Sequence, residues 1–104
     1  MAFDIYFEVV SKLGVKIRTT KSHWDLITLI KHPIIQGLES EVKNCLCQPV
    51  EIRLSQDSKE VYLYYARWTK YWLCVVARHL NGEGFIVTAY VTDKIKEGDV
   101  VWKS

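Results

Sequence analysis

At 104 residues the chain has room for one core and none for a second independent unit, so residues 1–104 are expected to form a single domain. Its 49% apolar and 25% charged residues are globular proportions, and no apolar run approaches the roughly 18 residues of a membrane span, which argues for a soluble chain with no membrane partner. A net charge of +2 permits an acidic partner without demanding one, and four Trp and six Tyr are the more distinctive feature.

The opening "MAFDIYFEVV" alternates apolar and acidic residues and lacks the basic region and cleavage site of a secretory signal, so it reads as mature structure. Phe3, Ile5, Phe7 and Val9 fall on one strand face, and "GVKIRTT" repeats the pattern with Val15 and Ile17. The pair predicts a hairpin turning near residues 12–14, with Lys16 and Arg18 on its other face.

Next, Ser22 followed three residues later by Asp25 opens a helix that Pro33 stops at about His32. A second helix places Leu38, Val42, Cys45 and Leu46 on one face, with acidic residues in its first turn and Pro49 beyond its end. The odd number of cysteines, and the one-residue gap between Cys45 and Cys47, suit neither a disulfide nor a structural zinc site. Reduced thiols in a cytoplasmic protein are the expectation.

From residue 50 the period changes to two: "VEIRLS", "EVYLYYAR", "YWLCVVARHL" and "GFIVTAYV" predict an antiparallel meander, with "NGEG" as its last hairpin. The tail "DKIKEGDVVW" has no decisive period. The fold class expected is α+β: an N-terminal hairpin and two helices packed on one face of a twisted four-stranded antiparallel β-sheet.

If the helices cover the face lined by Ile52, Leu54, Val61, Leu63, Val87 and Ala89, alternation sends Arg53, Tyr62, Tyr64, Thr88 and Tyr90 to the open face. An arginine among aromatics can hold an oxyanion through its planar fork. Both faces of "YWLCVVARHL" are apolar, so Arg78 either joins this group or misses it. His23 and His32, at the ends of the first helix, suit general acid and base work near neutrality, and equally suit helix ends. His79, beside the Asn-Gly pair, reads as turn surface. "YYARWTKYW" interleaves rings and cations, so Trp68 and Trp72 are candidates for stacking on unpaired bases, with core packing the alternative for both and the preferred reading of Trp72. No phosphate-cradling glycine loop, nucleophile elbow or metal-ligand motif occurs, and neither metal nor cofactor is expected.

The succession "HWDLITLIKHP", "LESEVKNCLCQPVEIRLS", "VYLYYAR" and "YWLCVVARHLNGEGFIVTAYVTDKIKEGDVVW" resembles the phage-type members of the barnase, EndoU, colicin and RelE-like nuclease superfamily. The likeness runs in order through about residues 20–102 and leaves the first hairpin outside. It implies a barnase/RelE-like sheet with its site on the open face, and a small metal-independent ribonuclease. Such proteins are often the toxin of a toxin–antitoxin pair or part of a mobile element, with an antitoxin or immunity protein as partner. Carried over by position, His23, Arg53, Tyr64, Thr88 and Tyr90 would be catalytic, with Arg78 as a phosphate contact; Trp68, Lys70 and His32 are candidates for substrate binding beside them. The implied reaction uses the substrate's 2′-OH as nucleophile. A non-catalytic RNA- or protein-binding module is the alternative.

Overall fold

The computed structural model describes residues 4–95 and 97–104, so Phe3 of the expected hairpin face lies outside the described residues. Strands β1 (Ile5–Val10) and β2 (Lys16–Thr20) form that hairpin, and the Ser11 amide donates to Val15 O at 2.8 Å across the turn. Its register slips between Ile5 and Phe7. Phe7 is therefore buried while Ile5, expected on the same face, is 49% exposed.

The first helix is shorter and less regular than the spacing predicts. Thr20, not Ser22, caps α1 (Lys21–Leu26): its Oγ1 accepts the His23 amide at 3.2 Å. After Leu26 the chain widens into a π-helical turn over Ile27–Lys31, where the His32 amide donates to Ile27 O at 2.7 Å. Thr28 Oγ1 donates back to Trp24 O at 3.0 Å, a bond that loosens a helix, and two β-branched isoleucines in the same turn add crowding. Pro33 then starts a 3-10 turn over Pro33–Ile35. The second helix, α2 (Glu39–Cys47), buries Val42, Cys45 and Leu46 at helical spacing and carries Glu39 and Glu41 in its first turn.

Five further strands follow: β3 (Glu51–Leu54), β4 (Val61–Trp68), β5 (Tyr71–Leu80), β6 (Glu83–Thr92) and β7 (Asp99–Lys103). All belong to one seven-stranded sheet of order β1-β2-β6-β5-β4-β3-β7. Every pairing is antiparallel except β2 with β6, which is parallel. The expected four-stranded antiparallel sheet under two packed helices is therefore wrong. The first hairpin joins the sheet through β2, and "DVVWK" returns to pair with β3 at the opposite edge. Short helices of six and nine residues cover part of a much wider mixed sheet. Among the described residues no helix is long and apolar enough to cross a membrane.

The principal core lies on the helix side, where Trp24, Ile27, Ile35, Val42 and Leu46 meet Ile17, Ile52, Tyr64, Val75, Ile86 and Ala89. Tyr62 packs against this core too, so Tyr62 and Tyr64 face the helices, and Val61 and Leu63 face away, the reverse of the expected parity in β4. "VYLYYA" is apolar on both faces and its own alternation is indifferent; pairing of Tyr64 with buried Ile52 decides the orientation. In β6, Ile86 and Ala89 both reach the core although they are three positions apart, an odd step along a strand. The register shift between Val76 and Ala77 explains it: Val87 and Thr88 together oppose Val76, a bulge that reverses parity midway along the strand.

Candidate functional site

Beyond Thr20 the chain leaves β2 for α1, and the second half of β6 loses its strand neighbour. His23 takes over that edge, its Nε2 lying 3.0 Å from Val87 O. A carbonyl only accepts, so Nε2 carries the hydrogen and the neutral ring keeps its lone pair on Nδ1. Just before this point, Arg18 on β2 lies beside Phe85 on β6, and Arg18 Nη1 donates to Glu83 Oε1 at 2.9 Å across the parallel junction.

These groups line a cavity of about 510 Å³ whose walls include Ile5, Arg18, Thr20, His23, Glu83 and Phe85. It thus collects a guanidinium, a hydroxyl and an imidazole from residues 18–23 and a carboxylate from Glu83, two stretches far apart in the chain. Phe85 is 39% exposed and adds an aromatic surface. The slipped register of β1 is what turns Ile5 toward this cavity rather than into the core.

His23 alone among the expected catalytic residues lines this cavity. Thr88 and Tyr90 occupy the sheet face away from the main core, as alternation beyond the bulge requires. The Thr88 Oγ1 is buried with no hydrogen-bond partner among the described residues. Tyr90 lies across from Cys74, which lies across from Tyr65; burial is the chief cause that pushes all three acid groups up, Cys74 to about 12. His32 approaches Tyr90 with ring centroids 5.9 Å apart.

Arg53 shares a cross-strand row with Thr88, but Leu63 and Val76 stand between them, a separation of about 14 Å at the usual strand spacing. Its Nε donates to buried Glu51 Oε2 at 2.6 Å and its Nη1 to Gly98 O at 3.3 Å. Tyr64 is enclosed on the helix side, donating to Ser11 Oγ at 2.9 Å, with His79 Nε2 also 2.9 Å from its hydroxyl; burial raises its phenol to about 12. His79, expected at the turn surface, instead stacks on Tyr62 with centroids 4.0 Å apart, and burial lowers its pKa. The expected cradle of Arg53, Tyr64, Thr88 and Tyr90 is accordingly not assembled: the residues are split between two faces and the far ends of one row.

Arg78 faces the open side and is bound to Glu60 at 2.8 Å. Trp68 packs on the main core, and Lys70 lies at the β4–β5 turn, its Nζ 5.5 Å from the Tyr71 ring centroid. Sequence reasoning missed Arg18, Thr20, Glu83 and Phe85 as site residues. The available signal was the polar face of the first hairpin, where Arg18 was already visible. No protein-family model, no curated protein and no solved structure matches this chain.

Proposed function

We propose that the cavity between β2, β6 and α1 binds a phosphodiester of single-stranded RNA and cleaves it without a metal ion. The observation that supports this reading is the gathering of His23, Glu83 and Arg18 around one cavity. Transesterification by the substrate's own 2′-OH needs a base, an acid and a cation, and these three side chains are of those kinds.

In the proposed step Glu83 takes the 2′-OH proton as that oxygen forms a bond to phosphorus. Arg18 transfers its guanidinium from Glu83 to the nonbridging oxygens. His23 enters the step as imidazolium, oriented by the Val87 carbonyl at 3.0 Å, and gives its Nδ1 proton to the departing 5′ oxygen as the P–O5′ bond breaks. The products are a 2′,3′-cyclic phosphate and a 5′-hydroxyl. Phe85 offers a ring for the base next to the scissile bond. A neutralising partner protein would act by covering the cavity mouth.

Incubation of purified protein with RNA in EDTA tests the reading, with His23→Ala, Glu83→Gln and Arg18→Ala beside the wild type. Cyclic-phosphate ends from wild type, falling by about a hundredfold or more in the first two variants, are the expected result. Equal cleavage by all four proteins would place the chemistry elsewhere. A second reading, a non-catalytic RNA-binding module, is favoured by the pairing of Arg18 with Glu83 at 2.9 Å, which occupies both groups. It predicts oligonucleotide binding that Arg18→Ala weakens, with no cleavage by any variant.

A further inference from the structure

The turn joining β4 to β5 carries a second concentration of binding chemistry. Residues 67–72 read Arg, Trp, Thr, Lys, Tyr, Trp, with Trp68 and Tyr71 as the register pair that closes the turn. Arg67 is exposed and its guanidinium lies 4.6 Å from the centre of the Trp72 ring; Lys70 is exposed and its Nζ lies 5.5 Å from that of Tyr71. Arg18, Lys21, Arg53 and Arg78 each hold a carboxylate, but among the described residues neither Arg67 nor Lys70 does. Their charges are held over ring faces and left uncompensated.

The turn is also held in a costly conformation. Thr69 has φ +54°, a left-handed geometry that a β-branched residue adopts only against its steric preference. The comparable turn between β5 and β6 uses Asn81 at φ +53°, followed by Gly82, which tolerate it. Strain of this kind concentrates where a segment is shaped for binding.

Trp72 and its register partner Arg67 lie on the same sheet face as Phe85, whereas Tyr71, the partner of core-packed Trp68, points to the other. Along β5, Trp72, Cys74, Val76 and Arg78 point one way, and Arg78 is the register partner of Phe85. On β6 the two ends of this line are Phe85 and Thr92, about 20 Å apart at the usual rise per residue. Rings for bases and cations for phosphates at one end would thus serve a strand whose scissile bond sits at the other.

We infer that the β4–β5 turn is a second contact site for single-stranded RNA that wraps the turn, the edge of Trp72 stacking on a base from the Phe85 face and Tyr71 on one from the other side, while Arg67 and Lys70 hold backbone phosphates. The inference rests on the RNA reading of the cavity and extends the same strand beyond it.

Fluorescence anisotropy with a labelled, 2′-O-methylated oligouridylate long enough to reach both ends tests it, because this probe cannot be cleaved. Arg67→Gln with Lys70→Gln keeps the aliphatic stems over the rings and so preserves the fold, which near-ultraviolet circular dichroism verifies. The pair is expected to weaken binding about tenfold or more and to reduce its salt dependence; Tyr71→Ala is expected to cost a further factor of about ten. Cleavage of a dinucleotide, too short to touch the turn, is expected to be unchanged by these substitutions. A silent dinucleotide assay with turn-dependent oligonucleotide binding sinks the cleavage reading and leaves the turn site standing. Wild-type affinity in both turn variants overturns the turn site whatever the cavity does. So does capture of the wild type by phosphatidylserine vesicles without binding of the oligouridylate.

Discussion

Tyr64 and Arg53 show how a side chain suited to chemistry can be committed to structure. The Tyr64 phenol closes a chain from buried Ser11 to His79, both at 2.9 Å, inside the core rather than on the open face. Tyr64→Phe is expected to destabilise the protein by about 1–2 kcal/mol, because a buried hydroxyl and a ring nitrogen lose their partner, and to leave RNA cleavage intact. Arg53 compensates a carboxylate that is 5% exposed as a residue. Arg53→Ala is expected to cost roughly 3 kcal/mol in urea unfolding by stranding Glu51, and adding Glu51→Gln should recover much of that loss. A phosphate-binding Arg53 would instead show a cleavage defect that the second substitution does not repair. His79 contributes a pH dependence of definite sign. Burial holds its folded pKa below the unfolded value, so below about pH 6.5 the unfolded chain binds more protons and stability falls with acidification. His79→Gln keeps a donor for Tyr64 and is expected to flatten the slope of unfolding free energy between about pH 7 and pH 5.

Among the elements, legibility followed how one-sided each segment is. Helix α2 was readable because Val42, Cys45 and Leu46 form one stripe beside charged neighbours, and the hairpin over Asn81 and Gly82 because those residues suit positive φ. Strand β4 was not, since Val61, Leu63 and Tyr65 are as apolar as Tyr62, Tyr64 and Ala66, and only pairing with β3 distinguishes the two sides. A bulge cannot be read from alternation at all, which is why Ile86 escaped notice as core. In the candidate site the same limit applies: His23 was recognisable as a helix-end imidazole, but its neighbours Arg18 and Glu83 lie 65 residues apart and meet only through the parallel pairing. The π-helical turn and the 3-10 turn after it divide neighbouring apolar residues sharply, with Ile35 fully buried and Ile34 53% exposed. Ile35→Ala is therefore expected to cost about 2–5 kcal/mol and Ile34→Ala within about 0.5 kcal/mol, a contrast that thermal unfolding of the two variants measures.

On the scale of the whole molecule, the first hairpin is fastened to the meander by three register pairs between β2 and β6, and the cavity is built across that seam. Gly84 sits at its centre, opposite Ile17. A Cβ at this position would lie 2.3 Å from Arg78 O and 2.9 Å from Ile17 Cδ1, so the close approach of three strands depends on the missing side chain. The tightest contact is with the β5 backbone, which its long pairing with β4 holds in place, so relief requires the start of β6 at Gly84 to lift off β5, and the β2 seam that pairs with it must move as well. That confines the loss to this corner of the sheet: the short parallel seam, the contacts of the hairpin with α1 and α2 and the burial of Phe7 and Ile17 are given up, while the β4–β5 pairing is kept. Gly84→Ala is thus expected to raise amide hydrogen exchange in Lys16–Thr20 and Ile5–Val10 well above that of β4 and β5, and to abolish cavity-dependent cleavage while the β4–β5 turn still binds oligonucleotide. Uniformly faster exchange across all strands would mean instead that hairpin and meander unfold as one cooperative unit, and that the seam is as deep in the stability of the sheet as the strands it joins.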